Sequence, residues 1–121
     1  METEIRNAII ESTSLDTGDR GLLTAWLHLD YGDGGHQGFG GHVLYLPKDF
    51  KHHTNKGDFA GHFIFRCMQV AGVESWDKIK GKSVRVKYEG GAGFASKIIA
   101  IGHIVKDDWF NPSADFERMS Q

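Results

Sequence analysis

Histidine, whose imidazole group binds transition metals, is abundant in this sequence: seven of the 121 residues are histidine. His52, His53 and His62 lie close together in the sequence, and Asp58 precedes His62 by four positions on a predicted helix. Imidazole and carboxylate groups with this spacing could share Zn²⁺ or another transition-metal ion. The spacing matches no strong signature such as His-Glu-x-x-His. We therefore place a metal-binding module or metal-dependent enzyme that uses His52, His53 and His62 third among the possible functions.

The most distinctive local feature is the glycine-rich run from Gly32 to Gly41. Backbone amides in such turns can bind phosphate groups. The run lacks the Gly-Lys-Ser/Thr ending of a phosphate-binding loop and does not precede a predicted helix. We therefore interpret it as a hairpin turn followed by a bent strand, on which His36 and His42 would share a face if no bulge intervenes.

Nucleophilic catalysis has little support in this sequence, which contains no Gly-x-Ser-x-Gly elbow. Its one cysteine, Cys67, lies on the apolar side of the predicted helix, where a buried and inert thiol is expected. Asp107 and Asp108 are neighbours at the end of a predicted strand, so their side chains would point apart. We therefore predict a protein that is not an enzyme and needs no cofactor.

Basic residues are concentrated between Lys78 and Lys106, where seven basic side chains accompany one acidic side chain, Glu89. Arg85 and Lys87 share one face of a predicted strand. An aromatic side chain beside such positive charge could stack on the bases of a single-stranded nucleic acid. The candidate residues for this function are Arg85, Lys87, Lys97 and Trp26. The net charge of −2 gives nucleic-acid binding no general electrostatic support, so it is the alternative and not the first choice.

Exposed aromatic residues are a further kind of candidate, because aromatic side chains often anchor protein interfaces. Trp26 and His28 lie on the more polar face of the predicted second strand, and Phe65 falls off the apolar stripe of the predicted helix. Together with the Gly32–Gly41 run they would form a contact surface for another protein. The candidate protein-contact residues are Trp26, His28, Phe39 and Phe65.

The elements that must position these residues are five strands and one main helix. Period-two alternation predicts the strands, and apolar residues at three- and four-residue spacing predict the helix over 58–73. The predicted strands are 6–12, 22–31, 36–46, 83–88 and 97–105, with a short helical turn over 76–80. We expect an α+β fold with the main helix between strands 3 and 4. Its five-stranded antiparallel sheet would be strongly curved, or would form a barrel like the oligonucleotide/oligosaccharide-binding (OB) fold.

Length and composition favour a single domain over residues 1–121. Residues 113–121 are predicted to form a flexible acidic tail that follows a docked Trp109 and Phe110. A single cysteine indicates a reducing compartment. No run approaches the ~20 apolar residues of a membrane span, and the acidic first residues differ from those of a signal peptide. We expect a cytoplasmic protein without a membrane partner.

Stretches spread over most of the length of the chain resemble a known group of proteins. They are Asn7–Thr13, Gly21–Tyr31, His36–Gly41, Val70–Gly81 and Ile101–Pro112. These stretches are similar to an uncharacterised family of short proteins encoded by tailed phages and prophages. The resemblance implies a phage origin and hence action in the cytoplasm of the host cell. It supplies no catalytic residues.

A second resemblance rests on hydrophobic pattern and element order. Ala71–Val73, Ser75–Trp76 and Gly81–Val86 resemble phage proteins linked to single-stranded DNA binding. This resemblance implies an OB-like fold. The chain departs from that group in being mildly acidic overall.

The phage resemblance and the lack of a catalytic motif together favour a protein that acts by binding. We expect a non-enzymatic phage accessory protein that binds a host or defence-system protein, for example as an anti-CRISPR-like inhibitor. The alternative is an OB-fold-like single-stranded nucleic-acid-binding protein. Exposed strand edges would also allow a homodimer.

Overall fold

The computed structural model describes residues 3–45, 57–90 and 97–120. Within these ranges the chain forms six strands, two α-helices and one short 3₁₀ helix. The strands are β1 (Thr3–Asp19), β2 (Leu22–Asp30), β3 (His36–Gly40), β4 (Ser83–Glu89), β5 (Lys97–Gly102) and β6 (Trp109–Phe110). The α-helices are α1 (Phe59–Ala71) and α2 (Pro112–Met119), and the 3₁₀ helix covers Trp76–Lys78.

All six strands belong to one antiparallel sheet, in the order β3-β2-β1-β4-β5-β6. The predicted α+β class and antiparallel sheet are therefore confirmed. The predicted number of five strands is wrong, because Trp109 and Phe110 pair with Gly102 and Ile101 and add a sixth strand. The sheet is also not closed, so the described residues do not form a complete barrel.

The central strand β1 is much longer than the strand predicted over 6–12. Its second half pairs with β2 up to Asp19↔Leu22, so the residues between the predicted strands 6–12 and 22–31 form most of a hairpin arm. The turn itself is at Arg20 and Gly21, both with positive φ (53° and 79°). Two such residues are what a tight hairpin turn with the right-handed twist of a sheet requires.

The two faces of the sheet differ in burial, and β1 shows the difference most clearly. Ile10 is 0% exposed, whereas its neighbour Ile9 is 48% exposed. We call the face with Ile10 the covered face and the face with Ile9 the open face. The covered face also carries the buried residues Ala8, Leu27, Leu29, Val84, Val86 and Ile101.

Helix α1 packs on the covered face through Phe63, Cys67 and Val70. It begins after Asp58, whose carboxylate accepts a hydrogen bond from the Gly61 N–H at 2.7 Å. It ends at Gly72, which has the left-handed conformation (φ 73°) common after a helix. The helix predicted over 58–73 is thus confirmed, as is the burial of Cys67.

The C-terminal residues differ from the predicted flexible tail over 113–121, because residues 112–119 form α2. Asn111 caps this helix by accepting a hydrogen bond from the Ala114 N–H at 3.0 Å, and Pro112 occupies the first turn. Phe116 is buried against Phe59, with ring centroids 4.3 Å apart and rings nearly parallel. The residues of this C-terminal segment are mostly polar, but the Asn111 cap and the buried Phe116 side chain hold α2 against α1.

Neither α1 nor α2, the two α-helices of the described ranges, combines the length and the apolarity needed to cross a membrane.

Candidate functional site

The loop of residues 103–108, which joins β5 to β6, is held by its own histidine. The His103 N–H donates to the carbonyl oxygen of Asp108 at 2.9 Å. His103 Nδ1 accepts from the backbone N–H groups of Val105 and Lys106, both at 3.0 Å. These bonds turn the chain at His103, which is why β5 ends at Gly102 and the strand predicted over 97–105 is too long.

Arg85 fastens the same loop to the sheet. Its Nε donates to the carbonyl oxygen of His103 and its Nη2 to that of Lys106, each at 2.8 Å. The Arg85 guanidinium also lies over the Trp109 ring, 4.7 Å from the ring centroid. Lys87 contacts the same ring, with Nζ 4.4 Å from the centroid. Both cations are therefore engaged by Trp109.

Trp109 can lie flat against the open face because β5 has a glycine beneath it. A Cβ on Gly102 would be 2.6 Å from Trp109 Cε3, closer than two carbon atoms can approach. Gly102 pairs with Arg85 on one side and with Trp109 on the other. The glycine thus provides the space in which the ring and the guanidinium meet.

Helix α1 holds the far end of the loop through Arg66. Its Nη2 donates to Asp108 Oδ1 and to the carbonyl oxygen of Trp109, both at 2.8 Å, and its Nη1 donates to Asp108 Oδ2 at 3.3 Å. These hydrogen bonds hold the pKa of Asp108 below its ordinary value. The 103–108 loop is therefore fixed by its own residues, by the sheet and by the helix.

This fixed loop presents two apolar side chains to solvent, beside the exposed Lys106 and Asp107. Val105 is 80% exposed and Ile104 is 37% exposed. Ile104 and Ile9 line one shallow pocket on the open face, of about 340 Å³. We call Ile9, Ile104 and Val105 the apolar patch. The polar residues around this pocket are Asn7, Asp30 and Ser83.

The predicted protein-contact residues do not form one surface. Trp26 is 38% exposed on the open face, and His28 is its neighbour on β2. Phe65 is 56% exposed, but it belongs to α1, which packs on the covered face of the sheet. Phe39 is 3% exposed and packs against Phe63 and Phe110, so its side chain belongs to the core and cannot reach a partner.

A second cleft, of about 250 Å³, lies where β3 and β5 approach each other without pairing in the described residues. Trp26, His42 and Lys97 line it. The Trp26 ring lies over Gly38 of β3 and over Gly41, the residue after that strand, since a Cβ on either glycine would be within 3.0 Å of the ring. We call this the Trp26 cleft.

The predicted nucleic-acid-binding residues are thus divided between two places. Lys97 and Trp26 line the Trp26 cleft. Arg85 and Lys87 are held against Trp109, and Arg85 also binds two carbonyl groups. The positive charge that the sequence places on one strand face is therefore largely committed to internal contacts.

Of the predicted metal ligands, His52 and His53 lie outside the described residues. His62 lies between the two helices, with Nε2 2.7 Å from Asp115 Oδ2, and Asp115 also binds Arg118. His62 thus links α1 to α2. The buried Cys67 thiol has a pKa raised by desolvation, as expected of an inert cysteine.

A different group of possible ligands is formed by Glu11, Asp30 and His36, whose ligand atoms all lie within 4.8 Å of one another. Sequence reasoning missed this group because its members are brought together by two strand pairings and a bulge. It also missed the apolar patch, since Ile104 and Val105 read as part of a buried strand. The exposed polar sequence Lys106–Asp108 that follows was the available sign of a loop.

The sequence matches no protein-family model and no curated protein. Function is therefore inferred from the surfaces of this chain.

Proposed function

We propose that this protein is a non-enzymatic binding protein that recognises another protein through the apolar patch of Ile9, Ile104 and Val105. The observation that carries the proposal is the position of Val105, which is 80% exposed on a loop fixed by hydrogen bonds. Exposed apolar surface costs about 25 cal/mol per Å² relative to burial, so a freely rearranging loop would turn this side chain inward. Here the backbone contacts of His103 and Arg85 hold it outward.

A fixed apolar anchor is suited to binding because no loop has to be ordered when the partner arrives. The pocket shared by Ile9 and Ile104 could receive an apolar side chain of the partner. Asn7 and Ser83 at its edge could form the polar rim that surrounds the centre of most interfaces. The arrangement therefore has an apolar centre and a polar border.

The resemblance to short phage proteins favours a host or defence-system protein as the partner. The protein would then act in the host cytoplasm as an inhibitor or modulator, in the manner of an anti-CRISPR protein. An inhibitor of this kind needs a preorganised surface and no catalytic group, which agrees with the apolar patch and with the inert Cys67.

The test is affinity purification from nuclease-treated host lysate, followed by a binding measurement with the recovered protein. Val105→Asp should weaken that binding by about tenfold or more, because it puts a charge at the centre of the contact. Phe65→Asp is the matched control, since Phe65 is similarly exposed but lies on α1. If only Phe65→Asp weakens binding, or if no protein is recovered, the proposal fails.

The second candidate function is single-stranded nucleic-acid binding, favoured by the presence of Trp26 and Lys97 in the lining of one cleft. Five strands with α1 between β3 and β4 have the element order of the OB fold, whose ligands bind on strands 2 and 3 and the adjoining loops. In this interpretation the chain is an opened OB-like barrel, with a sixth strand added at its edge. A base would stack on Trp26 and a phosphate would pair with Lys97.

This second function predicts that single-stranded DNA of about 30 nucleotides binds at low salt, with an affinity that falls as salt rises. Trp26→Ala and Lys97→Gln should each weaken binding in a fluorescence anisotropy titration. Lys80→Gln, at an exposed lysine outside the cleft, should leave it unchanged. Equal effects of Lys97→Gln and Lys80→Gln would indicate nonspecific electrostatic attraction and contradict a specific cleft.

A further inference from the structure

Three neighbouring strands place one histidine and two carboxylates together on the open face. His36 Nδ1 lies 3.0 Å from Glu11 Oε1, and the ligand atoms of Glu11, Asp30 and His36 all lie within 4.8 Å of one another. Glu11 and His36 are exposed and Asp30 is partly buried. The group can therefore be reached by an ion from solvent.

The backbone builds this group through two features. Asp30 and His36 are directly paired across β2 and β3. The register of β1 on β2 shifts between Ile10 and Ser12, so Glu11 is the extra residue of a β-bulge. A bulge re-aims side chains relative to regular alternation. Here it brings Glu11 beside a pair that regular pairing already holds together.

The electrostatics of the group favour a cation. Asp30 and Glu11 place two carboxylates close together, and bringing like charges together is unfavourable unless a positive group lies between them. Asp30 Oδ1 accepts a hydrogen bond from the Gly32 N–H at 2.8 Å, which orients its carboxylate.

We propose that Glu11, Asp30 and His36 form a binding site for a divalent transition-metal ion, with Zn²⁺ as the ion that fits this donor set. Imidazole nitrogen and carboxylate oxygen bind Zn²⁺ at about 2.0–2.2 Å, which requires ligand atoms roughly 3.3 Å apart in a tetrahedral site. His36 Nδ1 and Glu11 Oε1 are already 3.0 Å apart, and the wider distances in the group, all within 4.8 Å, have to shorten when the ion binds. Three protein ligands leave one position for water or for a ligand from a bound partner.

This site is distinct from the one that the sequence suggests. His52, His53 and His62 contribute nothing to it, and His62 is occupied by Asp115. The site adjoins the proposed protein-binding surface, because Asp30 also lines the pocket of Ile9 and Ile104, whereas Glu11 and His36 do not.

The test is isothermal titration calorimetry of untagged, chelator-treated protein with ZnCl₂. Wild-type protein should bind one Zn²⁺ per chain, and His36→Gln and Glu11→Gln should each weaken binding by about tenfold or more, as loss of a ligand does. The matched controls are His52→Gln/His53→Gln and Asp16→Asn, a carboxylate of the same hairpin. Both should bind Zn²⁺ like the wild type.

Thermal melting without metal checks that each variant is folded, which is expected because Glu11 and His36 are exposed. Metal should raise the melting temperature of the wild type and not that of His36→Gln. Absence of stoichiometric binding to the wild type overturns the proposal. So does loss of binding in His52→Gln/His53→Gln with retention in His36→Gln.

Discussion

Arg85 and Trp109 form a cation–π pair in which the guanidinium carbon lies 4.7 Å from the centre of the indole ring. The same guanidinium donates hydrogen bonds to the carbonyl groups of His103 and Lys106. One side chain therefore connects β4, β6 and the loop that presents Val105. The exposure of the apolar patch depends on this connection.

Replacing Arg85 by Lys should loosen the 103–108 loop although the charge is kept. A lysine cannot reproduce the fork that binds both carbonyl groups, so we expect a loss of about 1–3 kcal/mol in the free energy of unfolding. Lys87→Gln is the control, because it removes only a cation–π contact worth about 0.5–1 kcal/mol. Urea unfolding measures both, and faster amide hydrogen exchange at Val105 and Lys106 locates the effect. Equal losses in the two variants would show that the carbonyl contacts are unimportant.

Gly102→Ala should displace the Trp109 ring. The added Cβ would lie 2.6 Å from Trp109 Cε3, and relieving this overlap should cost about 1–3 kcal/mol of unfolding free energy. Gly18→Ala is the control, since its Cβ would meet only Asp16 Oδ1 at 3.5 Å and should change stability by less than about 0.5 kcal/mol. In a Trp109→Ala background, Gly102→Ala should become nearly neutral. A full-sized loss in that background would mean that Gly102 is needed for another reason.

The parts of the fold that follow from local sequence pattern could be predicted. Helix α1 is predicted by the three- and four-residue spacing of its apolar residues Phe59, Phe63, Cys67 and Val70. Strand β2 is predicted by the alternation of Leu23, Ala25, Leu27 and Leu29. The hairpin arm of β1 beyond Ser12 could not be predicted in this way, because Leu15 is its one apolar residue and no alternation is visible. Its strand conformation comes from hydrogen bonding to β2, which is a tertiary effect.

The candidate sites were less predictable than the fold, because they depend on irregular backbone. The bulge at Glu11 leaves no mark in the hydrophobic pattern, yet it decides which ligands meet His36. Ile104 and Val105 carry the composition of a buried strand. The hydrogen bonds of His103 and Arg85 hold them in an exposed loop. A bulge or a turn that depends on one residue does not change the hydrophobic periodicity from which strands and helices are predicted.

Phe116→Ala tests whether the C-terminal segment is docked or flexible. Phe116 is buried and stacked on Phe59, so its truncation should lower the free energy of unfolding by about 3 kcal/mol. Glu117→Ala, at the next and exposed position, should change it by less than about 0.5 kcal/mol. Chemical denaturation of both variants is the measurement. If Phe116→Ala behaves like Glu117→Ala, the segment is the flexible tail that its composition suggests.

The stability of this protein should fall as pH falls, in part because of His42. Its half-buried imidazole packs against Phe116, and desolvation, helped by the charge of Lys97, lowers its pKa below the ordinary value. In the unfolded chain this histidine takes up a proton near pH 6.5, whereas in the folded chain it does so only at lower pH. Its contribution to the free energy of unfolding is therefore fully present above about pH 6.5 and is lost as the pH falls. His42→Gln should flatten the dependence of unfolding free energy on pH between about 5 and about 7.5, where one such proton contributes at most about 1.4 kcal/mol per pH unit. Lys97→Gln should flatten this pH dependence slightly, because it removes the nearby positive charge but leaves the desolvation that lowers the pKa of His42. Urea unfolding at several pH values measures the slopes, and parallel curves for wild type and His42→Gln would exclude His42 as the group responsible.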